Sequence, residues 1–364
     1  MSKILVDLCV ESDGFMFKRL VDRLEDRGHE VLVTAREKVQ AVDVYRYAGL
    51  KPHIVGKYAT TLEGKLLASA KRIYEMSKLV LSELKGLDAV VSNTGVEACR
   101  VGFGLGAQVH TFHDHPEAIH QMLLTIPLST YIYVPWVINR NIYVRYGLGV
   151  EQIVSYRGFL TIAWMPHMEV QKNVAEFLGL DPDRPLVVFR ESEVGAAYLF
   201  GRKDITLPAV KQLAEKHPEW QFVGRPRYES EPVIKYFKNC PNVKIYTKPI
   251  PLQSLWPETD LLIGGGATMC LEATYFGTPT ISCRPITSPI TSYLKSVGLA
   301  YDAKTVKDVI NLSEEKIGKR NEFLAREIYG GMEFPLEQLI RNIEEGRRRE
   351  SFTHEKLVTS TQPW

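Results

Sequence analysis

Short apolar runs recur along this chain, each followed by a longer segment with apolar residues at helical spacing. Ile4 to Leu8 reads as a strand. From Phe15 to Arg27, residues Phe17, Leu20, Val21 and Leu24 share one helical face, and Gly28 ends the helix. Glu30 to Ala35 is the next strand, a helix around Val39–Tyr47 stops near Gly49, and His53 to Val55 is a short strand. Leu62 to Leu84 is a long helix, Asp88 to Ser92 a strand, and Val96 to Leu105 a helix. Val109–Phe112, Tyr131–Val134 and Ile153–Tyr156 complete the set. Such alternation implies a parallel sheet with helices on both faces. Ligands then sit at the carboxyl ends of the strands. The loops to watch are therefore Glu11–Gly14, Ser92–Gly95 and His113–Pro116.

A second rhythm begins after a seam. Gly158 to Pro166 is irregular, and Asp181-Pro182-Asp183-Arg184-Pro185 is a turn cluster. Leu186–Phe189, Trp220–Val223, Val243–Tyr246, Leu261–Ile263 and Thr280–Cys283 read as strands, with a helix from Ile205 to Lys216 and others between them. Leu336 to Arg348 is a closing amphipathic helix. A chain of 364 residues is long enough for two such domains. The expected division is a first Rossmann-like domain over 1–160, a second over 161–334, and a helix and tail over 335–364 that pack back toward the first.

The bulk composition excludes several classes. A net charge of +2 gives no reason to expect a nucleic-acid partner. Arg347-Arg348-Arg349 reads as a solvated helix end. The 5 cysteines are odd in number, widely spaced and without a C-x-x-C pair, which argues against a disulfide framework or structural zinc and for a reducing cytoplasm. Asp7 interrupts the first apolar run before it could serve as a signal-peptide core. The uncharged stretch from Ala118 to Asn139 carries Pro127 and Pro135, so a spanning helix is not expected. It could touch a lipid acceptor at a membrane surface, but a buried helix and strand account for it more simply.

The segment from Leu261 to Ser282 is the most informative. A buried strand, Leu261-Leu262-Ile263, runs into Gly264-Gly265-Gly266 and then into a helix opening at Ala267-Thr268. Glycines allow close backbone approach to a ligand, and the helix N-terminus favours phosphate. Glu272 lies about one and a half turns into that helix, where it could accept from ribose hydroxyls. A bare glycine run would serve equally as a tight strand-to-helix turn. The whole order is more specific: glycine run, Glu272-Ala273, then Gly277-Thr278-Pro279 and a strand.

That order resembles the donor-site signature of GT-B glycosyltransferases and of the related UDP-N-acetylglucosamine 2-epimerases. The spacing is similar to that of the peptidoglycan transferase that adds N-acetylglucosamine to lipid I. The resemblance implies two Rossmann-like domains with parallel sheets facing across a cleft. It also implies a UDP-linked sugar with its diphosphate on Gly265, Gly266 and Ala267 and its ribose on Glu272. The usual serine before the glycines is replaced here by Gly264, so backbone donors must suffice. The chain as a whole is similar to a GT-B-like family of archaeal and bacterial proteins, domain-of-unknown-function family 354. Four stretches carry the likeness: Arg27–Arg36, Ala98–Gly106, Gly224–Glu229 and the triple-glycine segment.

Glycosyl transfer needs a base for the acceptor hydroxyl and positive groups on the leaving diphosphate. By the resemblance, the base comes from the first lobe. Asp13 is one candidate, with an N-cap role as its alternative. Asp114, flanked by His113 and His115, is the other. His110, Glu117 and His120 lie close by, and a polar acid–base loop suits this cluster better than a metal site. No metal or other cofactor is expected, and Asp181-x-Asp183 reads as turn punctuation. On the donor side Arg190 is the candidate for neutralising the diphosphate, with a salt bridge to Glu191 or Glu193 as its alternative. Gly224 and Arg225 end the next strand, and Pro249 and Ile250 would line the nucleobase. Phe15, Phe17 and the tryptophans read as core.

Three functions follow. The first is transfer from a nucleotide sugar to a glycan, lipid or small-molecule acceptor. The second is epimerisation on the same fold. Known epimerases carry a histidine–arginine–arginine–glutamate motif early in the second lobe, where this chain reads Arg190-Glu191-Ser192-Glu193. The third is a nucleotide-binding protein without catalysis.

Overall fold

The structure is a computed structural model and describes residues 1–37, 41–192, 203–227, 229–248 and 250–346. Glu193, Pro249 and Arg347–Arg349 lie outside the described residues. The first sheet holds β1 (Lys3–Leu8), β2 (Glu30–Glu37), β3 (His53–Lys57), β4 (Ala89–Asn93), β5 (Gln108–Phe112), β6 (Tyr131–Pro135) and β7 (Ile153–Tyr156), in the order β3-β2-β1-β4-β5-β6-β7. The second holds β8 (Leu186–Arg190), β9 (Gln221–Gly224), β10 (Val243–Ile245), β11 (Leu261–Gly264), β12 (Thr280–Ser282) and β13 (Ala300–Asp302), in the order β10-β9-β8-β11-β12-β13. The strand pairs are parallel in both sheets.

This is the GT-B architecture of two doubly wound sheets. In each sheet the strand order reverses beside the first strand, between β1 and β4 and between β8 and β11. Crevices for ligands open at such switch points. Central strands covered on both faces are buried along their length: Ala89 to Asn93 and Gln108 to Phe112 are buried at every position.

The connector after β7 packs into both lobes. Leu160, Ala163, Trp164 and Met165 join the core of the first lobe, while Phe159 and Ile162 join Leu271, Ile290 and Tyr329 of the second. The chain then returns. The Leu336–Glu345 helix buries Leu336, Leu339, Ile340 and Ile343 in the first lobe, and Arg27 donates to Glu337 at 2.7 Å and Glu344 at 3.0 Å. Phe334 stacks on Phe112 with ring centroids 5.2 Å apart.

The Ala118–Asn139 stretch divides between a helix, Ile119–Thr125, and strand β6. The helix buries Met122 and Thr125 and exposes Ile119, Leu123 and Leu124. Among the described residues no helix is long and apolar enough to cross a membrane.

Candidate active site

A cavity of about 270 Å³ opens between the carboxyl ends of the two sheets. The first lobe lines it with Val10, Glu11 and Ser12 after β1, Asn93 and Thr94 around the end of β4, and Asp114 and His115 after β5. The second lobe lines it with Arg190 at the end of β8, Arg225 and Arg227 after β9, the Gly265–Met269 turn after β11, and Arg284 after β12. Both switch points therefore face one space.

The glycine turn is shaped by packing as well as by access. A Cβ on Gly265 would stand 2.5 Å from the Ser192 Cβ and 2.6 Å from its Cα. Gly266 caps the Ala267–Tyr275 helix without a side-chain bond, leaving that N-terminus to the cavity. Gly264 ends β11 and does not line the cavity; Gly265, Gly266, Ala267 and Thr268 do.

Glu272 reaches the cavity but is firmly held. Its Oε1 accepts from Trp164 Nε1 at 3.2 Å and Gln253 Nε2 at 3.4 Å, and its Oε2 accepts from Trp256 Nε1 at 3.2 Å. Burial raises this carboxyl to about 7, against those N–H groups, which favour the carboxylate. A carboxyl whose folded pKa exceeds its unfolded value contributes stability at low pH and loses it as the pH rises through the folded pKa. The unfolding free energy of the ligand-free protein should accordingly decline up to about pH 7, with Asp13, which burial also raises to about 7, contributing, and Glu272→Gln should reduce the slope there. Denaturation across this range checks it; an identical profile in the variant would assign the titration elsewhere.

The basic wall is concentrated. Burial lowers Arg190 to about 10, with Arg227 and Arg225 adding to the effect and Glu11 opposing it. Among the described residues, Arg190 Nε has no hydrogen-bond partner. Burial also lowers Arg225, again against Glu11. Arg227 is braced by Glu191, whose Oε1 accepts from its backbone N–H at 3.0 Å and whose carbonyl accepts from its Nε at 3.2 Å. Three arginines thus converge on one wall of the cavity, Arg225 buried and Arg190 and Arg227 half-buried, and their summed field favours an anion there.

On the opposite wall His115 Nε2 stands 3.5 Å from Asp114 Oδ1, and Nδ1 stands 3.4 Å from Glu117 Oε1. Glu117 accepts at 2.8 Å from Arg284 Nη2 of the other lobe. Burial would raise the Glu117 carboxyl, but His115 and Arg284 hold it below its usual value.

Other expected residues lie elsewhere. Asp13 is fully buried and is the first residue of the Asp13–Asp26 helix, not its cap. Its Oδ2 accepts from Cys9 N at 2.7 Å and Val10 N at 3.0 Å, and Oδ1 accepts from Asn93 Nδ2 at 3.0 Å. It braces the loop that lines the cavity without lining it. His113 is buried, with Nε2 3.2 Å from Thr125 Oγ1, and burial lowers it to about 3. His110 lies in the core between Tyr133 OH and Gln108 Oε1. Gly224 is a packing glycine, since a Cβ there would stand 2.5 Å from Phe189 Cζ. Ile250 borders a smaller annex of about 30 Å³ shared with Phe15, Tyr47 and Arg225. Phe15 and Trp164, read as core, pack in or against the core of the first lobe and also border the cavity. Arg284, two residues beyond the end of β12, has no local pattern that marks it in the sequence.

Comparison with known proteins matches this architecture. An uncharacterized protein of Methanocaldococcus jannaschii, MJ0665, is 28% identical over 326 residues, covering 87% of this chain and 92% of that one. The UDP-GlcNAc 2-epimerase of Neisseria meningitidis, solved with UDP-GlcNAc bound, superposes with a TM-score of 0.73 at 13% identity, over 94% of this chain and 100% of that one. The spinosyn forosaminyltransferase SpnP superposes with a TM-score of 0.59 at 17% identity, over 94% and 99%. At these identities the two solved structures speak to the fold. The family model described as "Protein of unknown function (DUF354)" matches residues 2–330, and the chain belongs to that family.

Proposed function

We propose that this protein acts on a nucleotide-activated sugar, UDP-linked, and transfers the glycosyl group without a metal. The observation that carries the reading is the opposition, across one cavity, of an arginine wall with an open helix N-terminus and an acid–base group. Arg190, Arg225 and Arg227, with the backbone N–H groups of Gly265 to Thr268, receive the diphosphate and stabilise the charge of the leaving group. Glu272 receives the ribose, and the annex beside Ile250 lies where the nucleobase would go. His115, backed by Asp114, takes the proton of the acceptor hydroxyl as it attacks the anomeric carbon; the sugar–phosphate bond breaks and UDP leaves. Asp13 and His113 hold structure. The 5 free cysteines fit a cytoplasmic setting.

Epimerisation is the second reading. It is favoured by the whole-chain likeness to an epimerase that binds UDP-GlcNAc and by acid–base groups inside the same cavity as the arginines. The absence of histidine at Arg190-Glu191-Ser192 counts against it.

UDP is expected to raise the thermal midpoint of the protein, and Glu272→Ala to lose most of that rise. No shift with any nucleotide would remove the donor site. Products then separate the reactions: UDP release marks transfer or hydrolysis. Solvent deuterium on a carbon of inverted configuration, in a nucleotide sugar still joined to its UDP, marks epimerisation.

A further inference from the structure

Arg284 links the two walls of the cavity. It follows β12, is 3% exposed and lines the cavity on the side of the glycine turn. Lys304 Nζ donates to its carbonyl at 2.9 Å, fixing the backbone from which the side chain extends. Its Nη2 donates to Glu117 Oε1 of the first lobe at 2.8 Å. Among the described residues, its Nη1 and the Glu117 Oε2 are both buried and have no hydrogen-bond partner. A buried donor left without an acceptor is costly, and more so when charged. Arg284 also lines the cavity, so the charge of an anionic ligand seated there acts on the same guanidinium that Glu117 holds.

The Glu117 oxygen that accepts from Arg284 is the same one that stands 3.4 Å from His115 Nδ1. One carboxylate thus divides its charge between a guanidinium and an imidazole. When a phosphate sits beside the guanidinium, part of the Arg284 charge is screened from Glu117, and more of the Glu117 charge is left to the imidazole. The protonated form of His115 is then favoured. On its own lobe His115 also stands near Asp114 at 3.5 Å, the buried His113, and Tyr143 beside Asp114 and Glu117. Across the cavity are Arg190, Arg225 and Arg227, with Glu11 between the walls.

We infer that Arg284 is a positioning residue that couples occupancy of the diphosphate site to the protonation of His115 through Glu117. This rests on the diphosphate reading of the cavity given above. Its consequence is order: the base becomes a better proton acceptor when the leaving group is seated.

The test is an NMR titration of the His115 imidazole in the full-length protein, with and without saturating UDP. In the wild type UDP should increase the proton affinity of His115 by about threefold to tenfold. Uridine, which has no phosphate, should leave it unchanged. Glu117→Gln should still bind UDP but lose most of the shift, keeping only what the diphosphate exerts directly through space. Arg284→Gln should bind UDP more weakly and likewise lose most of it, and Arg284→Lys should restore part of it. An equal shift with uridine, or an undiminished shift in Glu117→Gln, overturns the coupling and leaves the diphosphate site standing. Failure of UDP to bind the wild type overturns both.

Discussion

Arg72→Met is expected to lower the free energy of unfolding by about 3–5 kcal/mol, measured by urea denaturation of the ligand-free protein. Arg72 lies in the Leu62–Glu83 helix and is 1% exposed. Its guanidinium forks onto Asp7 of β1, Nη2 to Oδ1 at 2.6 Å and Nη1 to Oδ2 at 3.0 Å. Nη1 also reaches Glu97 at 3.3 Å, and Nε donates to the Val55 carbonyl at 2.8 Å. Thr34 Oγ1 completes the set on Asp7 at 2.8 Å. Methionine would fill much of the space but leave two buried carboxylates with no cation. That uncompensated charge, not the lost attraction, sets the size of the effect. Arg72→Lys keeps the charge and loses the fork, so an intermediate cost is expected. Replacing Asp7, Arg72 and Glu97 together by apolar residues should recover most of the stability, because no charge then remains to desolvate. A loss below about 1 kcal/mol in Arg72→Met would mean that water reaches the carboxylates, and the buried-triad account would fall.

The same triad marks the boundary of what could be read from the sequence. Asp7 stood out as the charge inside an apolar strand, but its partner is 65 positions away. Only the strand–helix packing brings Arg72 over β1. Strand and helix positions were largely legible because buried parallel strands are short apolar blocks with clear punctuation. Ile153–Tyr156 coincides with β7, and the neighbouring elements differ by a residue or two at their ends. Strand β13 was not legible: Ala300–Asp302 is three residues long and ends in a charge. The glycine turn and Glu272 announced themselves because their spacing is local. Asp13 was ambiguous because a carboxylate after a first strand has two uses; in the structure three N–H groups claim it. Trp164 is core, as read, but has a second use that no local pattern announces. Its ring packs in the core of the first lobe, while its single N–H reaches across to Glu272. Pairings between lobes have no sequence period, and the Arg284–Glu117 pair shows the same limit at a separation of 167.

Gly265→Ala should weaken UDP binding by at least about tenfold, a change of ~1.4 kcal/mol, when measured by calorimetry. The cause is steric and lies beneath the turn. The new methyl group would meet Ser192 at 2.5 Å from Cβ and 2.6 Å from Cα. Ser192 has little freedom to withdraw, since its Oγ donates to the Cys283 carbonyl at 3.1 Å and its N–H donates to Asp204 Oδ1 at 2.9 Å. Overpacking of this kind costs ~1–3 kcal/mol and is relieved by moving backbone. The backbone free to move is the turn itself, together with the start of the Ala267–Tyr275 helix. Those are the groups proposed to donate to the diphosphate, so a shift there removes several hydrogen bonds at once. Gly266→Ala is the control. A Cβ at Gly266 meets only Arg227 Nη2, at 3.0 Å, the far end of a side chain that can give. Its loss should be much smaller. Ser192→Gly added to Gly265→Ala removes the side chain in the way and should restore part of the affinity. The remaining loss would come from the clash with the backbone at position 192, which no side-chain truncation relieves. Equal losses in the two alanine variants would show that the ligand, and not Ser192, demands glycine at position 265.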